Sequence, residues 1–253
     1  MIWLSLSLID WRTILHIEEA SNTTEEKLGD LLWESIQKSE EVITNDSVIA
    51  PLDSILDHIC DKNGIKRKDI KLHLIRKDEI NAFAMPDNHL IVYTGLIEAC
   101  TNEAELAGVL CHELAHIQKH HVMKKLVKEI GLGVLVSLTT GGGNTAEVFH
   151  LLSSSAYDRK LETEADLTAV EYLIEADINP EPFADFLFMM GQEHKDLPKA
   201  IYWITTHPES EERATEIINK LKDRKYLKKP VLDDATWETF KKRVKEEQRP
   251  SLH

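Results

Sequence analysis

Apolar residues recur at three- and four-residue steps through most of the chain, and this spacing predicts a mainly helical protein. Thr23 and Thr24, followed by two glutamates, predict the start of a first helix. Pro51 predicts the start of a second, which ends near Asn63. Beyond residue 95 the helical pattern continues almost to the end, with segments predicted at about 105–121, 146–176, 182–192 and 208–225.

A different period marks residues 70–93. Ile70, Leu72 and Leu74 alternate with polar residues, as in a strand with one buried face. The runs 81–85 and 89–93 are β-prone and are joined through Pro-Asp-Asn, which predicts a hairpin. We therefore expect an α+β fold, mainly helical, with a small three-stranded sheet beside the helix that follows it.

That helix, predicted over 105–121, contains the motif His112-Glu113-x-x-His116. Two imidazoles four residues apart on a helix lie on the same face and can share one metal ion. Glu113 points about a quarter-turn away, where it can act as general base on a metal-bound water. The motif is typical of zinc proteases, and it needs a third ligand from elsewhere.

The nearest candidate for that ligand, His120, is excluded by distance, because about 12 Å of helix rise separates it from His112. We expect His120 and His121 to be solvated residues at the helix end. The metzincin continuation is absent, because Lys119 and Val122 stand where that pattern needs glycine and histidine.

A better candidate is Glu162, because Glu162 and Asp166 are four residues apart on a predicted helix and face the same way. If Glu162 binds zinc, Asp166 can accept a hydrogen bond from the outer N–H of His112. The alternative is a solvated acidic pair, which is common in a chain this acidic. Glu164, between them, is expected to be such a surface residue.

Composition narrows the class of protein. The chain has 253 residues, of which 42% are hydrophobic and 29% charged, as in ordinary globular proteins. A net charge of −14 argues against a nucleic-acid partner. Cys60, Cys100 and Cys111 are scattered and indicate neither a disulfide framework nor a cysteine zinc site.

The apolar run at residues 1–9 allows two interpretations. It is shorter than the roughly 20 residues that span a bilayer. It is therefore either a buried N-terminal segment or the stub of a membrane anchor that begins upstream. We expect residues 1–22 to form this N-terminal segment, 23–225 a metallopeptidase domain, and 226–253 a charged C-terminal appendage.

Five local patterns together resemble the gluzincin metallopeptidases of the CAAX prenyl endopeptidase, HtpX and BepA type. They occupy positions 81–86, 94–96, 112–116, 159–166 and 206–213 and read Asn-Ala-Phe-Ala-Met-Pro, Thr-Gly-Leu, His-Glu-Leu-Ala-His, Arg-x-x-Glu-x-Glu-Ala-Asp, and Thr-His-Pro with Arg213. The resemblance is closest to the compact BepA-like peptidase domain. Asp87 and Asn88 depart from it, because family members usually have glycines after the proline of the hairpin.

The resemblance implies a zincin-like fold that binds one zinc ion through His112, His116 and Glu162, with Asp166 behind them. It implies that His207 and Arg213 are catalytic residues on the substrate side, although His207 could also be a helix cap beside Pro208. His207 would either stabilise the transition state or block the metal as a reversible fourth ligand. The residues Asn81, Ala82 and Phe83 would form an open edge strand that binds substrate.

The function that this resemblance implies is endoproteolysis of extended or misfolded polypeptides in protein quality control. Its implied location is the cell envelope, membrane-associated through the N-terminus or periplasmic, and the lack of a visible signal peptide leaves the cytoplasm open. The alternative is a catalytically silent, zinc-stabilised module that binds peptides. The sequence indicates neither the physiological substrate nor an oligomeric state.

Overall fold

The computed structural model describes residues 17–192, 203 and 205–247. Its helices are α1 Ile17–Ser39, α2 Asp46–Lys62, α3 Thr94–Ala99, α4 Glu103–Gln118, α5 His121–Ile130, α6 Leu132–Thr139, α7 Thr145–Ser154, α8 Arg159–Glu175, α9 Glu181–Gln192, α10 Ser210–Leu221 and α11 Asp234–Glu247. Its strands are β1 Val42–Ile43, β2 Lys71–Ile75, β3 Ala82–Met85 and β4 His89–Tyr93. The apolar run at residues 1–9 lies outside the described residues.

The predicted fold class, α+β and mainly helical, is confirmed. The sheet has four strands in the order β1-β2-β4-β3, with β2 parallel to β4 and the other pairs antiparallel. Sequence patterning missed β1, because a strand of two residues has no readable period. β3 is the edge strand nearest to α4.

The predicted hairpin is present, and its turn explains the departure from glycine at Asp87 and Asn88. Both residues have positive φ, 62° and 58°, in the left-handed region that glycine adopts most readily. Asn and Asp tolerate this left-handed region better than other non-glycine residues. Lys71 contacts the Asp87 carboxylate and holds the turn against β2.

Two predicted helix starts are wrong. The first helix begins at Ile17 rather than at Thr23. The second begins at Asp46, because the Asn45 side chain accepts a hydrogen bond from the Ser47 N–H and caps the helix upstream of Pro51.

The helix predicted over 146–176 is two helices, α7 and α8, separated at 155–158. Ser155 Oγ donates to the Leu151 carbonyl at 2.6 Å, and the Ser155 backbone is extended. Serine side chains that bond the backbone in this way compete with helix continuation. The break gives α8 an orientation independent of α7.

The core surrounds α4, which is buried on every side rather than on one face. Leu106, Val109, Leu110 and Leu114 are fully buried, and α4 packs against α8, α9, α2 and β3. Gly108 permits the close approach of α9, because a Cβ there would lie 2.4 Å from the Phe183 Cβ. α4 is therefore held rigidly at the centre of the molecule.

The segment predicted as a C-terminal appendage contributes to this core. α11 packs against α2 and α3 and buries Trp237, Phe240 and Val244. Before it, the Glu103 carboxylate accepts the N–H groups of Val231 and Leu232 at 2.6 and 2.7 Å. The N-terminus of α4 is thus tied to the C-terminal segment. Among the described residues, no helix is long and apolar enough to cross a membrane.

Candidate metal and catalytic site

Two imidazoles of α4 converge at the centre of the molecule. His112 and His116 are both 0% exposed, and their Nε2 atoms lie 3.0 Å apart. Their rings meet edge to face, with centroids separated by 4.6 Å. The four-residue spacing therefore brings the two imidazoles close together on one face of α4, as the sequence predicts.

Glu162 on α8 completes a three-residue cluster with these histidines. Its Oε1 lies 3.3 Å from the His116 Nε2, and its Oε2 lies 3.7 Å from the His112 Nε2. Glu162 is 1% exposed, so a solvated acidic pair does not describe it. The break between α7 and α8 allows this approach, because it lets α8 run alongside α4.

These donor atoms fit a tetrahedral zinc ion. Ligand atoms about 2.0–2.2 Å from zinc lie about 3.3–3.6 Å from one another, and the three distances in the cluster are close to this range. The His207 Nδ1 adds a fourth donor, 3.3 Å from the His112 Nε2 and 3.1 Å from the Glu162 Oε2. All four donor atoms lie within 4.8 Å of one another. Three imidazoles and one carboxylate are a set of ligands that suits zinc.

Behind the cluster, Asp166 links α4 to α10. Its Oδ1 lies 2.9 Å from the His112 Nδ1, so the side of His112 that faces away from the cluster meets a carboxylate. Arg213 donates to both oxygens of Asp166 at 2.7 Å and lies 2.5 Å from the Glu162 Oε2. Arg213 itself is 2% exposed.

The contacts of Arg213 do not match its predicted place on the substrate side. Its guanidinium is occupied by Asp166 and Glu162, so it lies behind the cluster and holds both carboxylates. Burial raises the pKa of each carboxyl group, but Arg213 and the neighbouring histidines together outweigh this effect, so the net pKa of each lies below its usual value. Both are therefore anionic at neutral pH.

Glu113 lies between the cluster and the sheet. Its Oε2 accepts a hydrogen bond from the Ala84 N–H of β3 at 2.9 Å, and its Oε1 lies 3.4 Å from the His207 Nε2. Complete burial raises the pKa of Glu113 to about 7, partly offset by the neighbouring His112. A carboxyl group with this pKa is suited to proton transfer near neutrality.

Aromatic rings pack against the cluster, and sequence reasoning did not find them. Tyr157 stacks on His116 with ring centroids 4.0 Å apart, and Trp203 packs on His207 at 4.3 Å. Both aromatic residues are buried. They exclude water from the flanks of the cluster, and no periodicity in the sequence distinguishes them from ordinary core residues.

His121 is not the solvated residue that we expected. It is 0% exposed, and its Nδ1 lies 3.1 Å from the His116 Nδ1. Burial lowers the pKa of His121 to about 4, so its ring is neutral in the fold. The cause is His120, whose left-handed conformation (φ 55°, ψ 32°) ends α4 and turns the chain back.

The predicted substrate residues Asn81, Ala82 and Phe83 flank the cluster but are buried, the most exposed of them at 2%. The Asn81 Nδ2 donates to the Ser153 carbonyl of α7 at 3.3 Å, and Phe83 lies against Phe149 of the same helix. The strand is thus an edge of the sheet, as predicted, but α7 lies beside it. The open edge that we expected is closed in this conformation.

The sequence of this chain is similar to those of several known proteases. The mitochondrial metalloendopeptidase OMA1 of Schizosaccharomyces pombe is 28% identical over 168 residues, 64% of this chain and 50% of that protein. OMA1 of Bos taurus is 25% identical over 206 residues, 73% of this chain and 39% of that protein. The beta-barrel assembly-enhancing protease of Yersinia pestis is 20% identical over 213 residues, 78% of this chain and 44% of that protein. The chain thus spans half or less of the length of these relatives.

A family model confirms the resemblance. The model of peptidase family M48 matches residues 48–221, a range that contains the whole of α4, α8 and α10 with every member of the cluster. The match covers well over half of the chain. The chain therefore belongs to peptidase family M48.

Proposed function

We propose that this chain is a zinc-dependent endopeptidase that cleaves extended or misfolded polypeptides. The observation that carries the proposal is the convergence of His112, His116 and Glu162 in one buried cluster, with the Glu113 carboxylate beside it. A structural zinc site needs no adjacent base. The names of the relatives, which are metalloendopeptidases and proteases, support the same conclusion.

The proposed ligands are His112, His116 and Glu162. Zinc held there would lower the pKa of a bound water and polarise the scissile carbonyl. Asp166 accepts from the Nδ1–H of His112, which directs the lone pair of Nε2 into the cluster. Arg213 keeps Asp166 and Glu162 anionic and fixes their orientation.

Glu113 is the proposed general base. Its oxygen Oε1 accepts no hydrogen bond from the described residues; it would take the proton of the attacking water, and the carboxyl group would pass that proton to the leaving amine. The hydrogen bond from Ala84 fixes the other oxygen and so sets the direction of Oε1. Burial keeps the pKa of Glu113 near neutrality, which suits both steps.

His207 has two proposed roles, and they belong to different conformations. In the present one its Nδ1 lies close enough to the His112 Nε2 and the Glu162 Oε2 to serve as a fourth ligand, so that it would compete with water if zinc were bound. If the His207 ring rotates away, the same side chain can donate to the developing oxyanion, an interaction worth about 3 kcal/mol of barrier. Arg213 is not proposed as a donor to the oxyanion, because its guanidinium is engaged by Asp166 and Glu162.

The proposed substrate is an extended peptide that adds a strand to β3. Ala84 lies on this strand and contacts Glu113, so a peptide paired there would pass the proposed base. Substrate binding requires α7 to move, because this helix now contacts Asn81 and Phe83. Gly141 and Gly143 precede α7 with φ of 91° and 113°, conformations that glycine adopts without strain.

A role in protein quality control and a location in the cell envelope are the parts of this proposal furthest from the site. They rest on the family resemblance; two of the three relatives named above are mitochondrial by name, and the third is named for enhancing β-barrel assembly. Membrane association through residues 1–9 also remains a proposal.

The test is cleavage of unfolded casein by the purified chain, compared with Glu113→Gln. Glutamine has nearly the same volume as glutamate but cannot take the proton. We expect the variant to keep its zinc and its fold while the cleavage rate falls at least about a hundredfold. A matched control is Glu129→Gln, which changes an exposed glutamate on α5.

Equal cleavage by wild type and Glu113→Gln would contradict the mechanism. A zinc-loaded wild type that binds unfolded casein without cleaving it would favour the catalytically silent module. A wild type that holds no stoichiometric zinc would remove the metal site itself.

A further inference from the structure

His121 contacts the second predicted zinc ligand from the side opposite the cluster. Its Nδ1 lies 3.1 Å from the His116 Nδ1, and the two rings meet at 72° with centroids 5.0 Å apart. His116 reaches the cluster through its other nitrogen, Nε2. The two nitrogens of His116 therefore face different partners, Glu162 on one side and His121 on the other.

Glu164 on α8 lies beyond His121. Its Oε2 is 3.4 Å from the His121 Nε2, and its side chain is 40% exposed. The three side chains thus form a line from the cluster to the surface: His116, then His121, then Glu164. The line is short, and each step joins one ring nitrogen to the next polar atom.

Metal binding by His116 would fix which nitrogen of each histidine ring in this line carries a proton. A histidine that binds a metal through Nε2 carries its proton on Nδ1. The Nδ1–H of His116 then points at the His121 Nδ1, which must accept and so cannot carry a proton. The proton of a neutral His121 ring is therefore on Nε2, which faces the Glu164 carboxylate.

We propose that His121 is a positioning residue for His116, and that Glu164 orients His121 in turn. The proposal rests on the proposed zinc site. It gives the two histidines of α4 unequal support: His112 meets the carboxylate of Asp166 directly, whereas His116 meets that of Glu164 through a second imidazole. Outer partners of this kind strengthen metal binding about 10–100-fold.

The left-handed turn at His120 makes this arrangement accessible. α4 ends at Gln118, and α5 starts at His121, so the two histidines belong to different helices although only five positions separate them. On one continuous helix a residue five positions on would lie on a different face. The turn returns the His121 ring to the outer nitrogen of His116.

The test measures the zinc affinity of purified variants by competition with a chelator at neutral pH. His121→Leu removes the acceptor, and we expect zinc affinity to fall about tenfold or more. His121→Asn places an amide oxygen near the position of Nδ1, where it can accept from His116. We expect this variant to keep zinc affinity within about threefold of wild type.

Variants of Glu164 test the contact between Glu164 and His121 without changing a buried side chain. Glu164→Ala should weaken zinc binding severalfold. Glu171→Ala is the matched control, because Glu171 is on the same helix with a side chain 41% exposed, and it should leave zinc affinity unchanged. This pair remains informative even if His121→Leu fails to fold.

Several results would overturn the proposal while leaving the zinc site intact. They apply when the wild type binds zinc and the Glu162→Ala variant does not. Under that condition, the proposal fails if zinc affinity is unchanged in His121→Leu, or if His121→Leu and His121→Asn lose the same affinity. It also fails if the Glu164 and Glu171 variants have equal effects on zinc affinity. A wild type without zinc would overturn the proposed function, and the role of His121 with it.

Discussion

Removal of the Arg213 guanidinium should destabilise the protein more than removal of any surface ion pair. Arg213→Leu leaves the carboxylates of Asp166 and Glu162 in an environment where each residue is at most 2% exposed. Loss of one partner of a buried ion pair costs about 3–5 kcal/mol of unfolding free energy, because the remaining charge is buried without compensation. Arg213→Lys keeps the charge but loses the two-pronged contact, and we expect a loss of about 2 kcal/mol.

The chain contains a matched control for this experiment. Arg224 also makes a two-pronged contact with a carboxylate of α8, donating to Glu171 at 2.6 and 2.9 Å. Both side chains of this pair are partly exposed, at 37% and 41%. We expect Arg224→Leu to cost less than about 1 kcal/mol. The two arginines are thus matched in residue type, in charge and in the helix that supplies the carboxylates, whereas they differ in burial and in the number of carboxylates they contact.

The assay is urea unfolding in the presence of a chelator, followed by circular dichroism. Chelation removes any metal that would itself compensate the Glu162 charge in the variant. Equal losses in Arg213→Leu and Arg224→Leu, within about 1 kcal/mol, would refute the reasoning. Such a result would mean that the buried carboxylates reach water or take up protons at little cost.

Two further predictions concern stability away from the cluster. Burial lowers the pKa of His89 to about 4 and that of His73 to about 3, so both are neutral in the fold, whereas the unfolded chain takes up protons below about pH 6.5. The free energy of unfolding should therefore fall as pH decreases from 6.5 towards 4, by about 1–2 kcal/mol per histidine between pH 7 and pH 5. Urea unfolding at a series of pH values should show that the free energy of unfolding of His89→Gln depends less steeply on pH than that of wild type. An equal pH dependence would contradict the assignment. Gly108→Ala should lower the free energy of unfolding by about 1–3 kcal/mol through the clash with Phe183, although alanine favours helices. Gly133→Ala on α6 should instead be neutral or stabilising, because an added Cβ there would meet no other part of the described residues within 4 Å. The same sign for both glycine variants in thermal unfolding would count against the packing argument.

The parts of the site that sequence could predict depend on short spacings. His112 and His116 share a face because the helix repeats every 3.6 residues, and the same rule aligns Glu162 with Asp166. The hairpin could be predicted because Asp87 and Asn88 suit its turn. The pairing of α4 with α8 followed from the need for a third ligand.

The parts that sequence did not predict depend on contacts between distant residues or on local breaks. Arg213 was expected on the substrate side, but its place was decided by two buried carboxylates that required a cation. His121 was expected in solvent because it lies at the end of the predicted helix, and the left-handed conformation of His120, which turns the chain back, was not foreseen. α7 was merged with α8, so its position beside β3 was missed.

The most direct test of the account is the position of zinc in crystals of the purified chain, measured by anomalous diffraction at the zinc edge. We expect one strong peak about 2.0–2.2 Å from the Nε2 atoms of His112 and His116 and from a carboxylate oxygen of Glu162. No peak at this cluster, or a peak held by other residues, would contradict the proposed metallopeptidase site.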